Sequence, residues 1–169
     1  MHSTTSWLLF FPFKKNYHTL FSHALIHFNF AHQMINMLGL YVFGLELEEY
    51  LNQNQMPAYL ILIIFSLGVL ITAAIAFKLY QNNPSFSLVG ASNGIFCLLG
   101  SLLLLNPFKT IRFIPLPIPN IYLTIGFVAL FLIKFYRFKN NIDIIGHLAG
   151  FLVGIGCGFI IKIAGFPAI

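Results

Sequence analysis

A serine stands among small residues at the start of an apolar run, which is an unusual place for a reactive hydroxyl. Ser92 belongs to the segment Gly90–Gly94, which reads Gly-Ala-Ser-Asn-Gly, and an uncharged run from 95 to 105 follows it. Glycine and serine also allow two membrane helices to approach closely, and this packing role is the commoner one. A catalytic serine would need a neighbouring base as well.

The last apolar segment offers such a base in His147. This histidine lies beside the first of four glycines that recur every four residues, at positions 146, 150, 154 and 158. The recurrence makes a stripe of small residues along one helix face, suited to close contact with another helix. If the stripe packs against the helix that carries Ser92, His147 comes within hydrogen-bonding reach of the serine. A polar contact inside the bundle is the alternative role for a lone membrane histidine.

Two other polar side chains share one face of an earlier apolar segment. His32 and Asn36 are four residues apart, so they lie one above the other on a helix. Two donors aimed at one point suit a tetrahedral oxyanion, although an interhelical hydrogen bond would also explain them. On a continuous helix His27 would lie about 140° from His32. That separation argues against a three-histidine metal site, and we predict neither a metal nor a cofactor.

Asp143 lies one turn before His147 and suggests a Ser-His-Asp arrangement. An acid at a helix start is more commonly a cap or a favourable contact with the helix dipole. We therefore interpret Asp143 as a helix-start residue.

The composition is that of an integral membrane protein. Of 169 residues, 59% are hydrophobic and 8% are charged, whereas soluble domains are about one-quarter charged. The net charge of +5 suits anionic lipid headgroups better than nucleic acid, so membrane lipid is the expected partner and nucleic acid is not.

The apolar runs predict an all-α, polytopic helix bundle in a single membrane domain over residues 1–169. Asn29 is the predicted N-cap of the first span, and a proline-rich stretch leads into the fourth. Residues 1–22 form a partial first loop. The predicted spans are five: 31–47, 57–77, 88–105, 121–133 and 142–161.

Three motifs in this order resemble the rhomboid family of intramembrane serine proteases, and the match covers nearly the whole chain. They are His23-x3-His27-x4-His32-x3-Asn36, then Gly90-Ala91-Ser92, then Gly146-His147-Leu-Ala-Gly150. The resemblance implies a rhomboid-like fold and a catalytic dyad without an acid. Ser92 would be the nucleophile and His147 the general base.

The resemblance also assigns supporting roles. His32 and Asn36, with the Ser92 backbone N–H, would bind the oxyanion, and Phe96 would pack against His147. The supporting residues implied are Gly90, Phe96, His27 and Gly150, and His23 would likewise be structural. Substrates would be single-span membrane proteins that enter laterally, and the location would be a bacterial inner (plasma) membrane.

Two departures from the family pattern keep alternatives open. The family usually has glycine directly after the serine, where this chain has Asn93; the side chain is expected to crowd the substrate carbonyl, restrict the backbone, or add a donor. The family has six core helices, so its first helix is expected to be absent here.

One alternative is a catalytically inactive rhomboid-like protein that binds client helices. The other is a small channel or metal transporter that uses the histidines.

Overall fold

The fold is a bundle of long helices with one short hairpin, seen in a computed structural model that describes residues 9–113, 116–137 and 142–164. A 3₁₀ turn (Pro12–Lys14), a short helix and a second 3₁₀ turn (His23–Leu25) precede the bundle. The helices are α1 (Thr19–Ser22), α2 (Phe30–Gln53), α3 (Leu60–Tyr80), α4 (Ser92–Leu105), α5 (Asn120–Arg137) and α6 (Ile142–Ala164). The strands β1 (Thr110–Phe113) and β2 (Leu116–Pro119) lie between α4 and α5.

Helix α4 lies at the centre, against α2, α3 and α6. Its closest neighbour is the glycine stripe of α6. A Cβ added at Gly150 would fall on the Asn93 backbone oxygen, and one at Gly154 would fall on that of Cys97. The two backbones therefore approach as closely as only glycine permits. This confirms the predicted packing of the stripe against the helix that carries Ser92.

Helix α3 packs against α4 and α6 and exposes large apolar side chains on its outer face, as expected of a helix that borders lipid. Most of its small residues, including Gly68 and Ala73, are buried, whereas Leu62 and Leu70 are exposed. Among the described residues, two helical segments are long and apolar enough to cross a membrane, Leu60–Tyr80 and Ile144–Ala164. Mainly helical architecture is thus confirmed, and the count of five spans stays a prediction.

The proline-rich stretch forms a β-hairpin, which corrects the all-α prediction. Strands β1 and β2 pair antiparallel, with Thr110 opposite Pro119 and Arg112 opposite Pro117. Proline cannot donate to a strand ladder and is confined to edge strands. A two-stranded sheet consists of edges alone, so it accommodates both prolines.

Several helix boundaries differ by three residues or more from those predicted, among them the end of α2 and the starts of α3 and α4. Helix α2 starts where predicted, because the Asn29 side chain caps it by accepting the His32 backbone N–H at 2.8 Å. It continues to Gln53, past the predicted end at 47. The helix predicted from 88 begins only at Ser92, because the Leu88 N–H donates to the Phe10 carbonyl at 2.9 Å. The helix predicted from 57 begins at Leu60.

An ion-pair cluster joins the far end of α2 to the loop after α4. Lys109 Nζ lies 3.0 Å from a Glu46 carboxylate oxygen and 2.7 Å from one of Glu49. Burial of Lys109 opposes its charge, but the two carboxylates outweigh burial and raise the pKa of its ammonium group. The cluster therefore fixes the hairpin end of the bundle to α2.

Candidate active site

The structure brings Ser92 and His147 together. Ser92 is the first residue of α4, and His147 lies in the second turn of α6, at the same end of the bundle. The close α4–α6 contact along the glycine stripe leaves Ser92 Oγ 2.7 Å from His147 Nε2. This is a short hydrogen bond, and its geometry is that of a hydroxyl beside a base.

Gly90 shapes the turn that presents Ser92. Its φ angle is +99°, a conformation that side chains disfavour. Its N–H donates to the His23 carbonyl at 2.9 Å, which ties the turn to the segment ahead of α2. A Cβ at this position would lie 2.8 Å from His32 Cε1. The glycine is therefore needed both for the backbone conformation and for the space beside His32.

The His32 ring is oriented by its own helix start. Its Nδ1 accepts the Phe28 backbone N–H at 3.4 Å, and the Phe28 ring stacks on it at a centroid distance of 5.7 Å. A neutral imidazole that accepts at Nδ1 carries its proton on Nε2. This arrangement favours an Nε2–H donor on the side of the ring that faces Gly90.

Asn36 supplies a second donor to the same place. Its side chain is buried, and its Nδ2 has no hydrogen-bond partner among the described residues. From the position of a Cβ on Gly90, His32 Nε2 is 3.1 Å away and Asn36 Nδ2 is 3.6 Å away. The two donors thus converge at the turn that precedes Ser92. The Ser92 N–H is a third donor, because the first N–H groups of a helix have no partner within it.

The Phe96 ring packs against His147 and is itself in contact with Phe127. The Phe96 ring lies 4.8 Å from the His147 ring. Phe127, on α5, contacts Phe96 edge-on at 5.6 Å between centroids. The imidazole is therefore positioned by packing in addition to its hydrogen bond with Ser92.

A cavity of about 320 Å³ opens beside these groups and is bounded by α2, α4, α5 and α6. Its wall is mainly apolar, with the polar groups gathered at one place, as in many ligand sites. The residues that line it are His32, Ile35, Asn36, Gly39, Phe43, Ser92, Ile95, Phe96, Phe127, Leu130 and His147. All four residues predicted for catalysis and oxyanion binding face this one space.

His23 and His27 lie ahead of α2 and line no part of this cavity. His23 is fully buried, and its Nδ1 lies 3.1 Å from the Thr19 carbonyl oxygen, to which it donates. Burial lowers the pKa of His23. The His27 ring is 5.2 Å from that of His32; burial first, and then the neighbouring His32, lower the pKa of His27. Among the described side chains, no three of His, Cys, Asp or Glu gather as a metal site.

The remaining singled-out residues lie around the α4–α6 contact. Gly150 is one of the close-contact glycines. The Asn93 side chain is buried and does not line the cavity. Asp143 is in the first turn of α6, and its side chain lies outside the described part of the chain.

Sequence reasoning missed the fourth wall of the cavity. Phe127 and Leu130 come from α5, and nothing in the sequence distinguishes them from the chain's other apolar residues, which include nineteen further phenylalanines. Only the positions of α5 and α4 in the bundle identify them.

The fold and the site define a helical membrane protein with a serine–histidine pair at the edge of a central cavity. The chain matches the Rhomboid domain over residues 14–163, nearly its whole length, and it belongs to the rhomboid family. This family consists of integral membrane proteins that are generally intramembrane serine proteases. No curated protein matches the chain.

Proposed function

We propose that this protein is an intramembrane serine endopeptidase that cleaves transmembrane segments of single-span membrane proteins. The observation that carries the proposal is the 2.7 Å contact between Ser92 Oγ and His147 Nε2 beside the cavity. A rhomboid-family chain that retains both groups in contact has the minimum machinery for acyl transfer.

In the proposed reaction, His147 Nε2 takes the Ser92 proton as Oγ attacks the scissile carbonyl carbon. The carbonyl oxygen becomes an oxyanion, held by His32 Nε2–H, Asn36 Nδ2–H and the Ser92 backbone N–H. The imidazolium then donates its proton to the leaving nitrogen, which gives an ester on Ser92 and a free amine. A water molecule, deprotonated by His147, hydrolyses the ester and restores the hydroxyl.

No acidic residue is required in this scheme. The Phe96 ring against His147 fixes the imidazole plane by contact, a role that a carboxylate fills in Ser-His-Asp sites. The positive end of the α4 dipole lies at Ser92 and favours the developing negative charge. The dyad therefore depends on packing to orient His147 and on the N-terminus of α4 to stabilise the negative charge.

In this proposal the helices α2–α6 cross the bilayer, with the dyad near one membrane surface. Substrates would reach the cavity from the side, because a helix within the bilayer can approach the site only through lipid. A bacterial inner membrane is the proposed location. Extended backbone at the scissile bond is needed for attack, so segments with small or helix-breaking residues are the expected substrates.

The direct test is cleavage of a model single-span protein reconstituted with the enzyme in liposomes. Wild type should cleave, while Ser92→Ala and His147→Ala should each lose several orders of magnitude in turnover. Ser66→Ala is the matched control, since this partly exposed serine is on α3 and does not line the cavity. Normal cleavage by Ser92→Ala would contradict the proposal.

The alternative of an inactive client-binding protein is separated by covalent labelling. A fluorophosphonate should label wild type and Ser66→Ala and leave Ser92→Ala unlabelled. Client binding without any labelling would favour the inactive protein. The burial of Asn93 away from the cavity removes one argument for inactivity, because that side chain does not obstruct the space beside Ser92.

A further inference from the structure

Asn93 lies next to the proposed nucleophile, yet its side chain is turned toward another helix. It is 6% exposed, whereas the cavity wall is formed by its neighbour Ser92 and by Phe96 one turn further on. A buried polar side chain in an apolar bundle is costly, so its placement calls for a physical role.

The contact of Asn93 is with the first turns of α6. From the position of a Cβ on Gly146, the Asn93 Oδ1 atom is 3.0 Å away and Nδ2 is 3.5 Å away. One turn along, the Asn93 backbone oxygen fills the space where a side chain at residue 150 would stand. Asn93 therefore supports α6 at two successive glycines, with its side chain and its carbonyl.

A third helix, α3, also contacts α6 at Gly146. Thr72 of α3 is buried, and its methyl carbon is 3.5 Å from the same Cβ position on Gly146. The Thr72 hydroxyl is occupied, since it donates to the Gly68 carbonyl at 2.6 Å. The start of α6 thus rests between an amide from α4 and a methyl group from α3, directly before His147.

We propose that Asn93 is a positioning residue for His147, because it sets how closely the first turns of α6 approach α4. The proposal rests on the proposed function and adds to it the residue that fixes the base. Gly146 and His147 are adjacent in the same helix, so a shift of α6 at Gly146 moves the imidazole by a similar amount. Removing the Asn93 side chain leaves space into which α6 settles. Enlarging residue 146 pushes α6 away.

The test is a compensation experiment on residues 93 and 146. Asn93→Gly empties the space, Gly146→Ala overfills it, and the double variant puts a methyl group where the amide was. We expect each single variant to lower kcat about 10-fold with KM changed by less than about twofold, because misplacing a catalytic group by less than 1 Å carries such a loss. The double variant should recover to within about threefold of wild type.

Gly156→Ala is the matched control. It is on the same helix, and a Cβ there meets nothing within 4 Å. This variant should keep wild-type turnover, and adding Asn93→Gly to it should give only the loss of Asn93→Gly itself. Fluorophosphonate labelling rates and thermal unfolding midpoints are measured for every variant, so that a stability loss is separated from a loss of positioning.

The outcomes are distinct. Recovery of kcat in the double variant supports the proposal, whereas additive losses, or wild-type kcat in Asn93→Gly, overturn it. A loss confined to the unfolding midpoint, with kcat unchanged in the folded fraction, also overturns it and leaves Asn93 as a stability residue. If wild type neither labels nor cleaves, the proposed function itself fails, and the positioning of a catalytic base fails with it.

Discussion

The His32 imidazole lies in the space that a side chain on Gly90 would need. A Cβ on Gly90 would be 2.8 Å from His32 Cε1 and 3.1 Å from Nε2. The turn before Ser92 and the proposed oxyanion donor therefore fit together only because residue 90 has no side chain. The backbone conformation before α4 therefore determines whether His32, on α2, can occupy its position as the proposed oxyanion donor.

Gly90→Ala should therefore lower both stability and activity. The strain of φ +99° for alanine costs about 1–3 kcal/mol, and displacement of His32 weakens oxyanion binding. Thermal unfolding and substrate cleavage measure the two effects. Gly44→Ala is the matched control, because a Cβ there meets nothing within 4 Å; it should leave both unchanged. Wild-type turnover in Gly90→Ala would contradict the proposed place of His32.

Asn36→Ala should reduce kcat by about 10²-fold and leave KM nearly unchanged, because an oxyanion donor acts on charge that develops only in the transition state. Its Nδ2 has no partner among the described residues, so removing it breaks no visible structural hydrogen bond. Michaelis–Menten analysis on the liposome substrate separates kcat from KM.

The same measurement on His32→Ala and on the double variant tests convergence on one oxyanion. The two losses should combine to less than their product if both donors hold the same atom. A loss seen only in KM would instead assign Asn36 to substrate binding in the ground state.

Local chemistry in the sequence predicts the parts of this fold that depend on neighbours along the chain. The Asn29 cap is set by residues within one turn, and the structure confirms it. The α6 glycine stripe is predictable because a four-residue repeat has one structural consequence on a helix. Both features follow from a short-range rule.

The parts that the sequence does not reveal arise between distant segments. The hairpin of β1 and β2 forms across prolines that indicate only a break in helix. Helix α4 starts late because Leu88 pairs with Phe10, nearly eighty residues earlier. The direction of the Asn93 side chain depends on where α6 lies, so its role could not be deduced from its position beside Ser92.

The Lys109 ion pairs should stabilise the bundle unequally. The Glu46 side chain is 17% exposed and that of Glu49 is 52% exposed. Water and salt screen the exposed pair more, so Glu46→Gln should cost about 1–2 kcal/mol, and Glu49→Gln should lower stability by less than Glu46→Gln does. Unfolding midpoints at low and high sodium chloride provide the comparison. Glu48→Gln, a neighbouring acid for which no ion pair is described, is the control, and equal effects of all three changes would contradict the assignment.

The buried His23 should make stability fall in acid. Burial lowers the pKa of His23 in the folded protein, whereas the unfolded chain keeps the ordinary value of about 6.5. Below about pH 6.5 the unfolded state therefore binds a proton that the folded state does not, and stability falls as pH decreases, by up to about 1.4 kcal/mol per pH unit until the folded-state pKa is reached. The physical cause is Nε2, which is buried with no hydrogen-bond partner among the described residues.

Unfolding midpoints between pH 7.5 and 5.0 should fall less steeply for His23→Asn, which keeps a donor for the Thr19 carbonyl and does not titrate. Identical pH slopes for His23→Asn and wild type would show that another group controls the acid sensitivity.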